Sequence, residues 1–160
     1  MPAVRQILVA IKKPNATVLP ALHKAAQLAQ AFGAQLELFH AIATPLYTGR
    51  IGRGTGVEKQ VAATHRMKVT HRLEAIAGTL RKQGLAVAAH VGWDFPAAEA
   101  IIRRAQQIDA DFIVAECHPG THRGGWLVTP TDWELVRLSG IPCTIAACGL
   151  KSSCSAKLAD

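Results

Sequence analysis

Hydrophobic positions along the chain follow two alternating patterns. Gln6 to Ile11 (QILVAI), Leu36 to Ile42, Leu85 to Val91, Phe112 to Ala115 and Cys143 to Ala147 are short apolar runs rich in branched residues. Such runs are expected of strands buried on both faces. Between them, apolar residues recur every three or four positions, the spacing of one helix face. Leu22, Ala25, Ala29 and Phe32 form the first stripe. Ala62, Val69, Leu73, Ile76 and Leu80 form the second, in a helix of about 57–83. Ala98, Ile101, Ala105 and Ile108 form the third.

The punctuation agrees with this division. Pro20 suits a helical first turn and Gly33 a left-handed stop, while Gly84 ends the second helix. Asp94 is placed to cap the third helix. Thr129-Pro130-Thr131-Asp132 reads as an N-cap, a proline at N1 and an acid at N3 of a fourth helix, which Gly140 ends. Five strands alternating with four helices predict an α/β fold: a doubly wound parallel sheet with right-handed crossovers and helices on both faces.

Length supports one domain, since 160 residues suffice for a layered core. The folded domain is expected over 1–148, with 149–160 as a flexible tail or linker. Aromatics make up only 5% of the chain, so Ala, Val, Leu and Ile must fill the core. No apolar run is long enough to span a bilayer, and MPAVRQILVAIKK enters a strand pattern without a signal-peptide core, so no membrane association is expected and a cytoplasmic location is. There the four cysteines, none in CxxC spacing, are expected as thiols.

A net charge of +7 allows contact with nucleic acid without requiring it. His65, Lys68 and Arg72 share one face of the second helix and are the candidate basic patch, read first as a solvated face. GRIGRGTG, from Gly49 to Gly56, has neither nucleotide-fingerprint spacing and does not follow a strand, so it reads as a basic loop. Cys117, His118 and His122 lack a fourth ligand, and no metal is expected. No Ser-His-Asp or paired-carboxylate arrangement stands out, so the chain does not read as an enzyme.

The segments QILVAIKKPN, ELFHAI, GWDFPAAEAII, IDADFIVAECHPG and ELVRLSGIPCTIA, in this order and spacing, resemble the universal stress protein family over about Gln6 to Ala147. VTPTDWELVRLSGIPC resembles the amino-terminal half of the tandem UspE-type members. The resemblance implies strand order 3-2-1-4-5 in an adenine-nucleotide alpha-hydrolase-like fold. It also implies a homodimer through Cys143 to Ala147, or pairing with a second such domain.

Nucleotide-binding members carry G-x2-G-x9-G-(S/T) after the fourth strand, where glycine backbones cradle phosphate. Aligned back from Pro142, the signature positions hold Glu116, Pro119, Thr129 and Pro130. Glu116 adds negative charge, and the prolines have no N–H to donate. Lys12 or Lys13 replaces the acidic residue usual at the end of the first strand. His40, at the end of the second strand, reads first as a hydrogen-bonded core-edge histidine and otherwise as lining the same crevice. The expectation is therefore a vestigial site with no cofactor, filled by an ion pair between Lys12 or Lys13 and Glu116. The alternatives are ATP, held by an anion site of Lys12, Lys13, His118, Arg123 and the helix start at Thr131, or a basic nucleic-acid-binding module.

Overall fold

The expected alternation forms. A computed structural model describes residues 3–17, 19–42, 56–93, 96–117 and 131–147. In chain order these are β1 (Gln6–Ala10), α1 (Pro20–Phe32), β2 (Gln35–Ile42), α2 (Gly56–Lys82), β3 (Val87–Trp93), α3 (Ala97–Gln107), β4 (Phe112–Cys117), α4 (Thr131–Leu138) and β5 (Cys143–Ala147). All strand pairs are parallel, in the order β3-β2-β1-β4-β5. The resemblance-based strand order is thus the observed one.

Two cores flank the sheet, because successive side chains on a strand point to opposite faces. Ile7, Val9, Leu36, Leu38 and Val114 pack with the buried alanines of α1 and with Val69, Leu73 and Leu80 of α2. Leu8, Ala10, Phe39, Ile113 and Ala115 pack under α3 and Leu135 of α4. Small helix residues (Ala21, Ala25 and Ala29 in α1, Ala98 and Ala105 in α3) let the helices lie close to the sheet.

Pro20 does open α1, and Gly33 stops it at φ 65°, with its N–H bonded to the Ala29 carbonyl. That left-handed conformation is one glycine adopts without a Cβ penalty.

Several boundaries differ from those expected, by one residue at β1, β2 and α2 and by more elsewhere. β3 starts at Val87 and runs through Gly92 and Trp93, residues expected in a turn, because they stay in register with Ala41 and Ile42. β4 includes Glu116 and Cys117, which pair with Ala146 and Ala147 of β5 instead of opening the loop. The N-cap of α3 is Pro96, without a side-chain cap bond. Asp94, expected there, lies outside the described residues. So do Pro119, His118, His122, Arg123, Thr129 and Pro130, the Gly49–Thr55 part of the basic loop, and the 149–160 segment.

Candidate functional site

In a sheet wound in both directions from its centre, the crevice lies where the winding reverses. Here that point is between β1 and β4, which are direct neighbours. The chain leaves β1 through Ile11, Lys12 and Lys13, and β4 ends at Glu116 and Cys117. Lys12 and Lys13 are exposed, whereas Ile11 and Pro14 are buried.

Glu116 is 6% exposed, and neither carboxylate oxygen has a hydrogen-bond partner. By strand alternation it shares the face of Val114, beneath the α1–α2 layer. Removal from water raises its pKa above the ordinary glutamate value. The Lys12 main-chain N–H, which approaches without full hydrogen-bond geometry, and the Lys12 and Lys13 charges oppose this shift, but burial prevails. The expected ion pair is therefore not formed. Both lysines are exposed, and their charges act on the carboxylate without an ion-pair contact.

His40 stands on the same sheet face at the end of β2. Its Nδ1 lies 2.7 Å from the Ile11 carbonyl oxygen. A carbonyl only accepts, so Nδ1 must carry the proton, and in the neutral ring Nε2 is then an acceptor. Burial lowers the pKa of His40; the bond to Ile11 opposes that shift, and the charge His65 can take on α2 adds to it. Ile11 is held from both sides, because its N–H also donates to the Phe39 carbonyl at 2.8 Å.

The crevice thus joins Lys12, Lys13, Glu116 and His40. The buried groups are an unpartnered carboxyl and an imidazole whose Nε2 is an acceptor in the neutral ring, while the donors that would suit phosphate, Lys12 and Lys13, are exposed. Thr131 begins α4, but its side chain and the other expected anion contacts, His118 and Arg123, are outside the described residues. Among the described residues no group of three His, Cys, Asp or Glu could hold a metal.

Sequence reasoning missed a second polar centre on the opposite face. Glu37, 5% exposed on β2, is gripped by Arg104 of α3 through Nε (2.6 Å) and Nη2 (3.1 Å). Next to it His90 stacks on Phe39 with ring centroids 5.9 Å apart. The available signal was a charged residue inside the apolar run of β2. This centre is structural, because its polar atoms are turned onto one another.

The universal stress protein family model matches residues 3–147. The fold is also that of solved structures. One is a protein of that family from Burkholderia pseudomallei, with 22% identity, a TM-score of 0.64, and coverage of 91% of this chain and 97% of that one. A universal stress protein from Archaeoglobus fulgidus in complex with dAMP has 19% identity and a TM-score of 0.59, covering 90% and 98%. A universal stress protein in complex with cAMP has 17% identity and a TM-score of 0.61, covering 91% and 98%. No curated protein matches the chain.

Proposed function

Because the chain belongs to the universal stress protein family, we propose that it is a non-catalytic stress-response domain that keeps the ligand crevice but takes no adenine nucleotide tightly. The observation that carries this reading is the buried, unpartnered carboxyl of Glu116 at the switch point. In two structures of this fold the crystallised ligand is an adenine nucleotide, dAMP or cAMP. A phosphate beside Glu116 would meet a buried carboxyl that no cation contacts, repulsive when ionised and offering a single donor when protonated. Pro119 and Pro130 take two further N–H donors out of the loop.

The domain then acts by association. β5 is an edge of the sheet, and Ile145 on it is 39% exposed. Edge strands leave backbone donors and acceptors unpaired, and a second copy or a second domain of this kind would cover them. Light scattering of the isolated chain distinguishes the two: a dimer supports self-pairing, and a monomer supports pairing with another domain.

A second reading, an ATP-binding stress protein, draws on the exposed Lys12 and Lys13 at the crevice mouth. Calorimetric titration with ATP and magnesium decides between the readings. The proposal expects no saturable heat from the native chain. Binding tighter than about 10 μM, near −7 kcal/mol, overturns it.

A further inference from the structure

α2 is much longer than the sheet it covers. Its 27 residues span about 40 Å at 1.5 Å per residue. Strands of five to eight residues span about 17–27 Å. The amino-terminal part of α2 therefore lacks a sheet beneath it. From Gln60 to Lys68 every side chain but Ala62 is exposed, and Val61 and Met67 are 64% and 71% exposed.

One face of α2 is hollowed along its length. Val61, His65, Lys68, Arg72, Ala75 and Thr79 follow at steps of three or four, so they share one stripe. A cavity of about 440 Å³ lies against the first three of these residues. A second, of about 450 Å³, continues along the last three, between α2 and α1, with Leu19, Leu22 and Ala26 on the opposite wall. Both are open clefts; among the described residues the first is lined by α2 alone and the second by α2, α1 and the residues just before α1. From Gln60 to Gln83 the lined stretch is about 35 Å long.

The chemistry of the lining is one-sided. Lys68 and Arg72 supply fixed positive charge, and His23 and His65 are the other titratable groups among the described residues. No carboxylate lines either cavity among the described residues. Arg72 is held in place by its Nε bond to the Pro14 carbonyl at 3.2 Å. Beyond Arg72 the α1–α2 cleft is walled by Leu19, Leu22, Ala26, Ile76 and Leu80. Among the described residues no Phe, Tyr or Trp lines it, which leaves nucleic-acid bases little to stack on.

From this geometry we propose that the α1–α2 groove docks an acidic amphipathic helix of a partner protein. The length of the groove selects an elongated occupant over a small molecule, which would be covered at one end only. The apolar walls take the i, i+3, i+4 and i+7 side chains of such a helix, as in other helix-in-groove complexes. Lys68 and Arg72 meet carboxylates on its flanks and set its charge preference. Lys12, Lys13, His40 and Glu116 are not among the described residues that line the groove, so the proposal does not rest on which ligand that crevice takes.

Fluorescence anisotropy with the full chain tests it. The probes are two labelled synthetic helical peptides of about six turns with the same leucine stripe, one flanked by glutamates and one by lysines. The glutamate peptide is expected to bind at least tenfold more tightly. Lys68→Glu, at an exposed site, should narrow or reverse that ratio, and Ala75→Trp should block both peptides while circular dichroism confirms the fold. No binding of the glutamate peptide, equal binding of the two peptides, or an unchanged ratio in Lys68→Glu overturns the proposal. So does a DNA oligonucleotide that outcompetes the glutamate peptide at physiological salt, which would assign the basic face to nucleic acid.

Discussion

Arg104 closes on Glu37 as a two-pronged fork, Nε to Oε1 at 2.6 Å and Nη2 to Oε2 at 3.1 Å, and joins α3 to the second strand of the sheet. Glu37 is buried, while Arg104 keeps partial contact with solvent. Removing the guanidinium leaves a charge under α3 with no partner, which costs about 3 kcal/mol. Removing both groups leaves an apolar gap only. Arg104→Leu should therefore destabilise the chain more than the double change Glu37→Leu with Arg104→Leu. Urea denaturation of the two variants checks this, and equal losses would show that the fork adds nothing beyond packing.

Glu116 is the reverse case, a buried carboxyl without a fork. Its folded pKa is raised by burial, so the folded chain holds this proton at pH values where the unfolded chain has released it. Stability from this group is intact below the ordinary glutamate pKa. It falls as pH rises from there to the raised folded value. Glu116→Gln should flatten that part of the pH profile, and Glu116→Leu should raise stability by about 1 kcal/mol or more at neutral pH. Denaturation midpoints measured from pH 4 to 8 decide it. A native profile no steeper than that of the glutamine variant would mean the carboxyl has found a donor.

The fold was legible because its pattern is local. Branched apolar runs gave the strands, three- and four-residue stripes gave the helices, and Pro20 and Gly33 punctuated α1 as expected. Errors clustered where pairing overrides local signals. Gly92 and Trp93 look like a turn, yet the neighbouring strand extends them. Glu116 looks like the first loop residue, yet β5 holds it in the sheet. The crevice residues were legible from topology, but their charge state was not. A lysine two residues past a strand and a glutamate inside one read as an ion pair until burial and side-chain direction are known. The Glu37–Arg104 fork joins residues 67 positions apart, and no periodicity links them.

His40 should behave as a neutral acceptor over most of the physiological range. Its folded pKa lies below the ordinary 6.5, so the unfolded chain takes up the proton first as pH falls. The stability contribution is complete above about pH 6.5 and is lost as pH drops through the window between 6.5 and the lower folded value. His40→Gln can keep a donor toward the Ile11 carbonyl without titrating, and its stability should not share that acid-side loss. Nitrogen NMR of the imidazole gives an independent reading, with Nδ1 protonated and Nε2 bare at pH 7. The opposite tautomer would break the assigned bond to Ile11.

Gly92 faces the ring of Phe39 across the β2–β3 pair. A Cβ built there would lie 2.9 Å from Phe39 Cζ and 3.0 Å from Cε2. The ring cannot easily move away: Phe39 is 3% exposed, packs in the α3-side core, and is stacked by His90 on β3. An alanine would therefore push the ring against a close-packed interior or force β3 outward, at a cost of about 1–3 kcal/mol. The backbone at Gly92 is not left-handed, so the cost is steric and not conformational. That distinction is measurable. Gly92→Ala with Phe39→Leu should recover most of the stability lost by Gly92→Ala alone, once the loss from Phe39→Leu is subtracted in a double-mutant cycle. Gly33→Ala, at φ 65° with nothing near its Cβ, should show no coupling to Phe39→Leu. If Gly92→Ala is additive with Phe39→Leu, the ring contact is not what requires glycine at this position.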